Sequence, residues 1–145
     1  MHPLWGTYPE TILRFPDAGL RIDLRRPVPP EAIRALAGLG LTGPFAVVTA
    51  CEPLGQRLED AANSRLTTVL TSLVLERYPS ARLAHGISPD GSHTERGWAI
   101  PAPVDEVRTL AARFLQDAIF WFDGKVFSIL PVLAPHQPLQ LPVPS

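Results

Sequence analysis

The chain has few cysteines and lysines, and each shortage excludes a kind of chemistry. Cys51 is the only cysteine among 145 residues, so the chain can form no internal disulfide and no cysteine-based zinc cluster. Lys125 is the only lysine beside twelve arginines, and it lies next to a predicted turn, which leaves a Schiff-base mechanism without a well-placed amine. A single cysteine suits a protein of the reducing cytosol.

The chain also lacks a charge excess and any long apolar run. Thirteen basic and fourteen acidic residues give a net charge of -1, which does not favour nucleic acid or an anionic membrane as a partner. No apolar run approaches the roughly 18 residues of a membrane span, and the first ten residues lack the features of a signal peptide. We therefore expect a cytoplasmic protein with no nucleic-acid or membrane partner.

One domain is expected over residues 1–130, because a chain of this size can bury a sufficient core by itself. Residues 11–43 are predicted to form a β-hairpin and a short helix. In the hairpin, Leu13 and Phe15 face Leu20 and Ile22 across a turn over residues 16–19. The helix runs from about Glu31 to Ala37, between a run of prolines and two glycines.

Residues 44–130 are predicted to form the core of the domain. Residues 45–50 are apolar throughout and β-branched in part, which indicates a central strand buried on both faces. Further elements follow in order: a helix over 60–78, strands over 82–87 and 96–102, a helix over 104–114, and a final hairpin. Right-handed crossovers then predict an α+β fold with a ferredoxin-like split βαβ core and one extra C-terminal strand.

Two local patterns give more detailed expectations. An Asp123-Gly124 turn would set Phe120 opposite Phe127 and Trp121 opposite Val126. In the first core helix an apolar stripe recurs at helical spacing, and Asn63 lies near it, one turn before its first member. The stripe consists of Leu66, Val69, Leu70, Leu73 and Val74, while Ser64, Arg65, Thr68, Thr71 and Ser72 are expected largely on the opposite side.

In a ferredoxin-like sheet both helices cover one face, so the apolar second face needs a cover. The N-terminal hairpin and helix are the simplest cover for this face, and the tail or a second subunit are the alternatives. The sequence therefore leaves open whether the protein is a dimer. Residues 131–145 contain five prolines and are predicted to form an extended tail.

Strand and helix directions predict that polar residues meet at one place. We call the edge of the sheet where strand 45–50 ends the upper edge. The first core helix begins there, the polar loop from Ser88 to Glu95 turns there, and the second helix ends there. The polar residues brought to this edge are Thr49, Glu52, Asn63, His93, Glu95, Gln116 and Asp117.

Several segments together resemble a bacterial family known as domain of unknown function 3293. These segments are residues 49–53, Asn63, Gly86, the loop over 90–95, and residues 114–121. The resemblance covers roughly residues 44–130 and implies no particular reaction. The family usually has Asn where this chain has Glu52, and often Ser and an aromatic residue where it has Arg96, Gly97 and Trp98. A carboxylate in place of an amide removes donors and adds charge, so we expect a different ligand or loss of the shared one.

Each candidate residue has a functional and a structural interpretation. In the functional interpretation Glu95 is the acid or base and forms a carboxylate pair with Glu52. In the structural interpretation Glu95 binds Arg96 or a backbone N–H. Asn63 and Gln116 either form hydrogen bonds to a ligand or satisfy free backbone groups at helix ends. His85, His93 and Glu95 lack the spacing of a known metal motif, so no metal is predicted. Cys51 is interpreted as a small buried hydrophobe rather than a nucleophile.

Two functions follow from these residues. The first is binding of a small polar or nucleotide-like ligand at the upper edge by Thr49, Glu52, Asn63, His93 and Gln116, with or without turnover by Glu95. The second is a non-catalytic interaction module that recruits a protein partner through a sheet edge or the proline-rich tail. The sequence identifies no cofactor and leaves open whether the protein is an enzyme.

Overall fold

The computed structural model describes residues 4–144, and the first three residues and the last residue of the predicted tail lie outside the described part. Three α-helices have the following bounds: α1 Pro30–Gly38, α2 Asp60–Arg77 and α3 Val104–Arg113. The strands are β1 Ile12–Phe15, β2 Leu20–Asp23, β3 Phe45–Thr49, β4 Arg82–Leu83, β5 His85–Ile87, β6 Thr94–Glu95, β7 Gly97–Ile100, β8 Ala118–Phe122, β9 Phe127–Pro131 and β10 Leu139–Gln140.

The strands form two antiparallel sheets, which confirms the α+β class. A six-stranded sheet has the order β10-β9-β8-β3-β7-β4, and a four-stranded sheet has the order β2-β1-β5-β6. The buried strand β3 lies between β8 and β7 and is antiparallel to both, as expected of the central strand. Its position brings its C-terminal end next to the start of β7 and close to the segment before β8.

Alternate residues of β3 pack into two separate cores. Ala46 and Val48 face helices α2 and α3, where Leu70 and Val107 are fully buried. On the other face, Phe45 and Val47 pack against the hairpin β1–β2 and helix α1. The prediction that the N-terminal hairpin and helix cover the second face is therefore confirmed.

The two hairpins test the register predictions, and one of them is wrong. In the first hairpin Leu13 pairs with Ile22 and Phe15 with Leu20, as predicted. In the second hairpin Phe120 pairs with Ile129, two residues beyond the predicted Phe127, so Trp121 pairs with Ser128 and not with Val126. The reason is that Asp123 precedes the turn: its carboxylate accepts the N–H groups of Lys125 and Val126 at 2.8 and 2.9 Å.

The strand predicted over residues 82–87 is interrupted, and its halves β4 and β5 join different sheets. The strand predicted over residues 96–102 is present as β7, and the short strand β6 lies in the predicted loop before it. Strands β4 and β7 belong to the six-stranded sheet, whereas β5 and β6 belong to the four-stranded sheet. The interruption lies where Gly97 approaches β3: a Cβ built on Gly97 would lie 2.5 Å from the carbonyl oxygen of Val48. Only glycine permits this approach, and the ladder changes sheets beside it.

Helix α2 and the tail also differ from the expectations. Val69 belongs to the predicted apolar stripe but is 53% exposed. Thr71, on the side expected to be polar, accepts the indole N–H of Trp98 at 3.0 Å. The tail adds strand β10 to β9 and buries Leu141, so the sheet extends past the predicted domain end at residue 130.

Among the described residues, no helix is both long and apolar enough to cross a bilayer.

Candidate functional site

A cavity of about 450 Å³ lies between the two sheets, close to the upper edge. Its apolar side chains come from the segment before β1 and from β3, β5 and β8. Its polar side chains come from the segment before β1, the end of β3, the β5–β6 hairpin and the segment after α3. The residues that line it include Tyr8, Val47, Ile87, Ala118 and Phe120 on the apolar side, and Glu10, Thr49, His93, Glu95 and Gln116 on the polar side. A second cavity of about 420 Å³ adjoins it, shares Tyr8, His93, Glu95 and Gln116, and adds Glu52, Arg57 and Asp117.

Glu95 stands at the polar end of the first cavity, where strand β6 pairs it with Gly86. One of its carboxylate oxygens lies 3.2 Å from the hydroxyl of Thr49, and the other lies 3.3 Å from Nε2 of His93. Burial raises the pKa of Glu95, and the attraction of His93 and the hydrogen bond from Thr49 act against that rise. Glu95 is thus a half-buried carboxyl group that holds a proton more tightly than an ordinary glutamate.

His93 connects the two glutamates of the site. Its Nε2 lies 3.3 Å from a carboxylate oxygen of Glu52 as well as from that of Glu95. The loop before His93 is fixed by Asp90, whose carboxylate accepts the backbone N–H of Ser92 at 3.0 Å and the hydroxyl groups of Ser88 and Ser92. The polar residues of this loop therefore hold His93 between the carboxylates.

Glu52 reaches the site through an unusual backbone conformation. Its φ is 49°, in the left-handed region, and its N–H donates to Oδ1 of Asn63 at 2.9 Å. Leu54 and Leu115 also have positive φ, and the N–H of Leu54 donates to the carbonyl of Leu115 at 2.7 Å. Three non-glycine residues with left-handed backbones thus join the two loops at the upper edge, a concentration of strain that is common near functional sites.

Gln116 has a mainly structural environment. Its side chain is 7% exposed, and its amide donates to the carbonyls of Cys51 and Phe114 at 3.0 and 3.1 Å. Its oxygen lies 3.2 Å from the hydroxyl of Thr49, and since that hydroxyl has one hydrogen, it donates either to Gln116 or to Glu95. Gln116 therefore orients Thr49 and closes the floor of the cavity.

The structure brings the predicted upper-edge residues together. Thr49, Glu52, His93, Glu95 and Gln116 line the two cavities. Asn63 lies behind them and contacts the backbone of Glu52 through its side-chain oxygen, while Asp117 borders the second cavity beside Gly55.

Sequence reasoning missed Tyr8 and Phe120 as lining residues. Their rings meet edge to face at 6.0 Å, and Tyr8 borders both cavities. Burial, followed by the charges of Glu95, Asp117 and Glu52, raises the pKa of Tyr8 far above its usual value, so its hydroxyl stays protonated as a donor facing an acidic site. No local pattern could have revealed this, because a contact between residues 8 and 120 depends on the complete fold.

Two residues weighed as candidates lie away from this cluster. His85 faces the opposite side of the four-stranded sheet, where its Nδ1 accepts the N–H of Gly97 at 3.2 Å. Cys51 is buried with its sulfur 3.7 Å from the hydroxyl of Thr67, and burial raises the pKa of its thiol. Within residues 4–144, no group of three His, Cys, Asp or Glu side chains is arranged to hold a metal ion.

The comparisons with known proteins identify a family over part of the chain. The model of the family described as Protein of unknown function (DUF3293) matches residues 48–119, which confirms the resemblance over that segment. The segment extends from β3 to β8 and includes Thr49, Glu52, Glu95 and Gln116, but neither Tyr8 nor Phe120. No curated protein and no solved structure matches the chain.

Proposed function

We propose that the protein binds a small polar ligand in the cavity between its two sheets, with Glu95 as the principal recognition group. The observation that carries this proposal is the position of Glu95: a half-buried carboxyl group, bound by Thr49 and His93, at the polar end of a cavity whose other walls are aromatic and aliphatic. Such a combination of apolar walls and a few convergent polar groups is typical of small-molecule sites.

The shape and chemistry of the walls favour one kind of ligand. Tyr8 and Phe120 offer aromatic surface to a planar or apolar portion, and Val47 and Ala118 complete that wall. The opposite end presents acceptors, because Glu95 and Glu52 both point toward His93. A ligand with a planar body and hydrogen-bond donors, such as a nucleobase, a nucleoside or an aromatic amine, would satisfy both ends.

The negative charge of the site disfavours nucleotide-like ligands that carry a phosphate group. Glu10 and Glu95 line the first cavity and Glu52 and Asp117 the second, whereas Arg57 is the one arginine among the described residues that line either cavity. A phosphate group beside these carboxylates would be repelled. The site therefore suits a neutral or cationic ligand better than a nucleotide phosphate.

A catalytic version of the proposal assigns a proton-transfer role to Glu95. Because burial raises its pKa, Glu95 can hold a proton nearer to neutral pH than an ordinary glutamate, and His93 provides a partner within 3.3 Å for that proton. Thr49 would keep the carboxyl group in one orientation. Glu95 would then protonate or deprotonate a group at the polar end of the ligand.

The interaction-module alternative has less support in the tail. Leu139 pairs with Ile129, Leu141 is buried, and the carbonyl of Gln137 accepts the indole N–H of Trp5 at 3.2 Å. These contacts already engage residues 137–141 within the chain, so this stretch is not a free polyproline ligand. In this alternative, a protein partner would instead bind at a sheet edge, such as the short edge strand β4.

We also infer a ferredoxin-like core over β3–β8. The order β8-β3-β7-β4, with every neighbouring pair antiparallel and with α2 and α3 on one face, agrees with a split βαβ arrangement. In this description β9 and β10 extend the sheet beyond its last core strand, and β5–β6 are the halves of the central hairpin that leave it.

Binding can be tested by saturation-transfer NMR with adenine, adenosine, adenosine monophosphate and benzylamine as probes. We expect binding by at least one uncharged or cationic probe, and weaker binding of the monophosphate than of adenosine. Glu95→Gln should weaken that binding at least about tenfold, because a hydrogen bond to a charged group contributes ~1.5–3 kcal/mol. Glu31→Gln, which removes an exposed carboxylate on α1, is the matched control and should leave affinity unchanged.

The outcomes separate binding from catalysis. Equal affinity of wild type and Glu95→Gln for every probe would refute the assigned role of Glu95. If a bound probe is also converted, the conversion should disappear in Glu95→Gln at saturating probe, and persistence of the conversion there would exclude Glu95 as the acid or base.

A further inference from the structure

The outer face of the four-stranded sheet carries a row of basic side chains on adjacent strands. Arg14 on β1 pairs with Arg21 on β2 and with His85 on β5. Because Glu95 pairs with Gly86, Arg96 follows level with His85. Residues that pair directly in an antiparallel ladder point to the same face, so these four side chains lie side by side across the sheet.

Three members of this row, Arg14, His85 and Arg96, line one wall of a groove of about 590 Å³, and helix α2 forms the other wall. The helix presents hydroxyl groups to the groove, and the indole of Trp98 closes it between Leu83 and Gly97. The hydroxyl residues are Ser64, Thr67, Thr68, Thr71 and Ser72, and they are joined by Arg14, His85 and Arg96 from the sheet. No carboxylate is among the described residues that line the groove, in contrast to the acidic cavity on the other face of the sheet.

The basic row is not neutralised within the described part of the chain. Neither Arg14 nor Arg96 forms a salt bridge there, and Nε of Arg14 is buried without a hydrogen-bond acceptor. Buried donors without partners are rare, and like charges directly opposite one another destabilise a sheet. An anion in the groove would relieve both costs.

The hydroxyl wall is suited to the same ligand. Thr71 accepts the indole N–H of Trp98, which leaves its own hydroxyl hydrogen available as a donor. His85 is 92% buried, and since its Nδ1 accepts the N–H of Gly97, the proton of the neutral imidazole resides on Nε2. Burial and the charges of Arg14 and Arg96 lower the pKa of His85, which is the response expected of a group in an uncompensated positive field.

We propose that this groove is a binding site for a small oxyanion, namely inorganic phosphate or the phosphoryl group of a small molecule. Arg14 and Arg96 supply the positive charge, and the hydroxyl groups of α2 supply further donors to the oxygen atoms. Guanidinium groups match the geometry of phosphate oxygens, and hydroxyl side chains donate to them without adding charge. The site is independent of the acidic cavity and stands whether or not that cavity binds a ligand.

The test is titration of the full-length protein with inorganic phosphate at constant ionic strength, followed by NMR of the Trp98 indole N–H. A saturable shift of that resonance is expected in the wild type. Arg14→Gln and Arg96→Gln should each weaken phosphate binding about tenfold or more, as expected for loss of a charge-assisted hydrogen bond. Arg96 is exposed, so Arg96→Gln keeps the test valid if Arg14→Gln fails to fold.

Arg21→Gln is the matched control, because Arg21 belongs to the same row but does not line the groove. Phosphate affinity within about twofold of the wild type is expected for this variant. The proposal is overturned if the wild-type shift does not saturate, or if Arg21→Gln weakens binding as much as Arg96→Gln does. Preferred binding of a single-stranded oligonucleotide with a steep salt dependence would replace the small oxyanion with a nucleic acid as ligand.

Discussion

Asn63 accepts the backbone N–H of Glu52 at 2.9 Å and so ties the first turn of α2 to the loop that follows the central strand. Glu52 has positive φ, so this bond restrains a residue whose backbone is strained. Asn63→Ala should therefore lower the free energy of unfolding by about 1–2 kcal/mol, the usual cost of an unsatisfied, partly buried donor. Urea denaturation provides the measurement.

Asn63→Asp is the matched control for this bond. It keeps an acceptor oxygen at the same distance along the side chain, so it should destabilise the protein less than Asn63→Ala. Identical unfolding midpoints for Asn63→Ala and the wild type would mean that the bond does not hold the loop.

The family that this segment resembles usually has Asn where this chain has Glu52. The left-handed backbone at this position gives a physical reason for that Asn. Asn tolerates positive φ better than Glu, for which that conformation costs roughly 1–2 kcal/mol. Glu52→Asn should accordingly be more stable than Glu52→Gln by about 0.5–1 kcal/mol in chemical denaturation. Both substitutions remove the charge near His93 and leave an amide, so loss of charge does not contribute to their difference. Equal stability would reject this explanation.

The convergence of polar residues at the upper edge could be predicted because it depends only on strand and helix direction. Thr49 ends an upward strand, Glu95 precedes the returning strand, and Gln116 follows a helix that rises between them. Once the order of elements is read correctly, these ends must meet. Directions of strands and helices do not give distances or rotamers, nor the hydrogen bonds of the Gln116 amide to the carbonyls of Cys51 and Phe114.

Other features depended on contacts that local patterns do not contain. The Asp123 carboxylate binds two N–H groups of the turn, which moved the hairpin register by two residues while keeping each side chain on its predicted face. Val69 fits the helical spacing, but it is exposed. The other members of the stripe, Leu66, Leu70, Leu73 and Val74, pack into the core between α2 and the sheet. Periodicity gives the angle of a stripe but not how far around the helix the sheet extends.

The break between β6 and β7 depends on a close approach that only Gly97 allows. A Cβ at this position would lie 2.5 Å from the carbonyl oxygen of Val48 and 3.0 Å from that of Ala84. Gly97→Ala should therefore lower the free energy of unfolding by about 3 kcal/mol, because backbone atoms on both sides would have to move. Thermal and urea denaturation measure this loss.

Gly43→Ala is the control, because a Cβ at Gly43 would meet no atom within 4 Å. A change between zero and a gain of about 1 kcal/mol is expected there, since alanine reduces the freedom of the unfolded chain. A loss at Gly97 no larger than that at Gly43 would contradict the steric argument.

Glu95 should make stability depend on pH in a direction opposite to that of a salt-bridged carboxylate. Burial raises its pKa above the ordinary 4.5, so the folded state binds the Glu95 proton more tightly than the unfolded state does. The free energy of unfolding therefore decreases as pH rises from the unfolded pKa to the raised folded pKa, and the cost is fully present above that window. Glu95→Gln cannot ionise, so its stability relative to the wild type should increase across the same window.

The measurement is urea denaturation of wild type, Glu95→Gln and the surface control Glu31→Gln at a series of pH values from 3.5 upward. His93 is the largest influence opposing the rise in the pKa of Glu95, through its charge and its hydrogen bond. In a His93→Gln background the pH-dependent gain from Glu95→Gln should therefore become larger. A gain that is independent of pH, or that shrinks when His93 is replaced, would show that the carboxyl group is solvated and that desolvation does not control its proton.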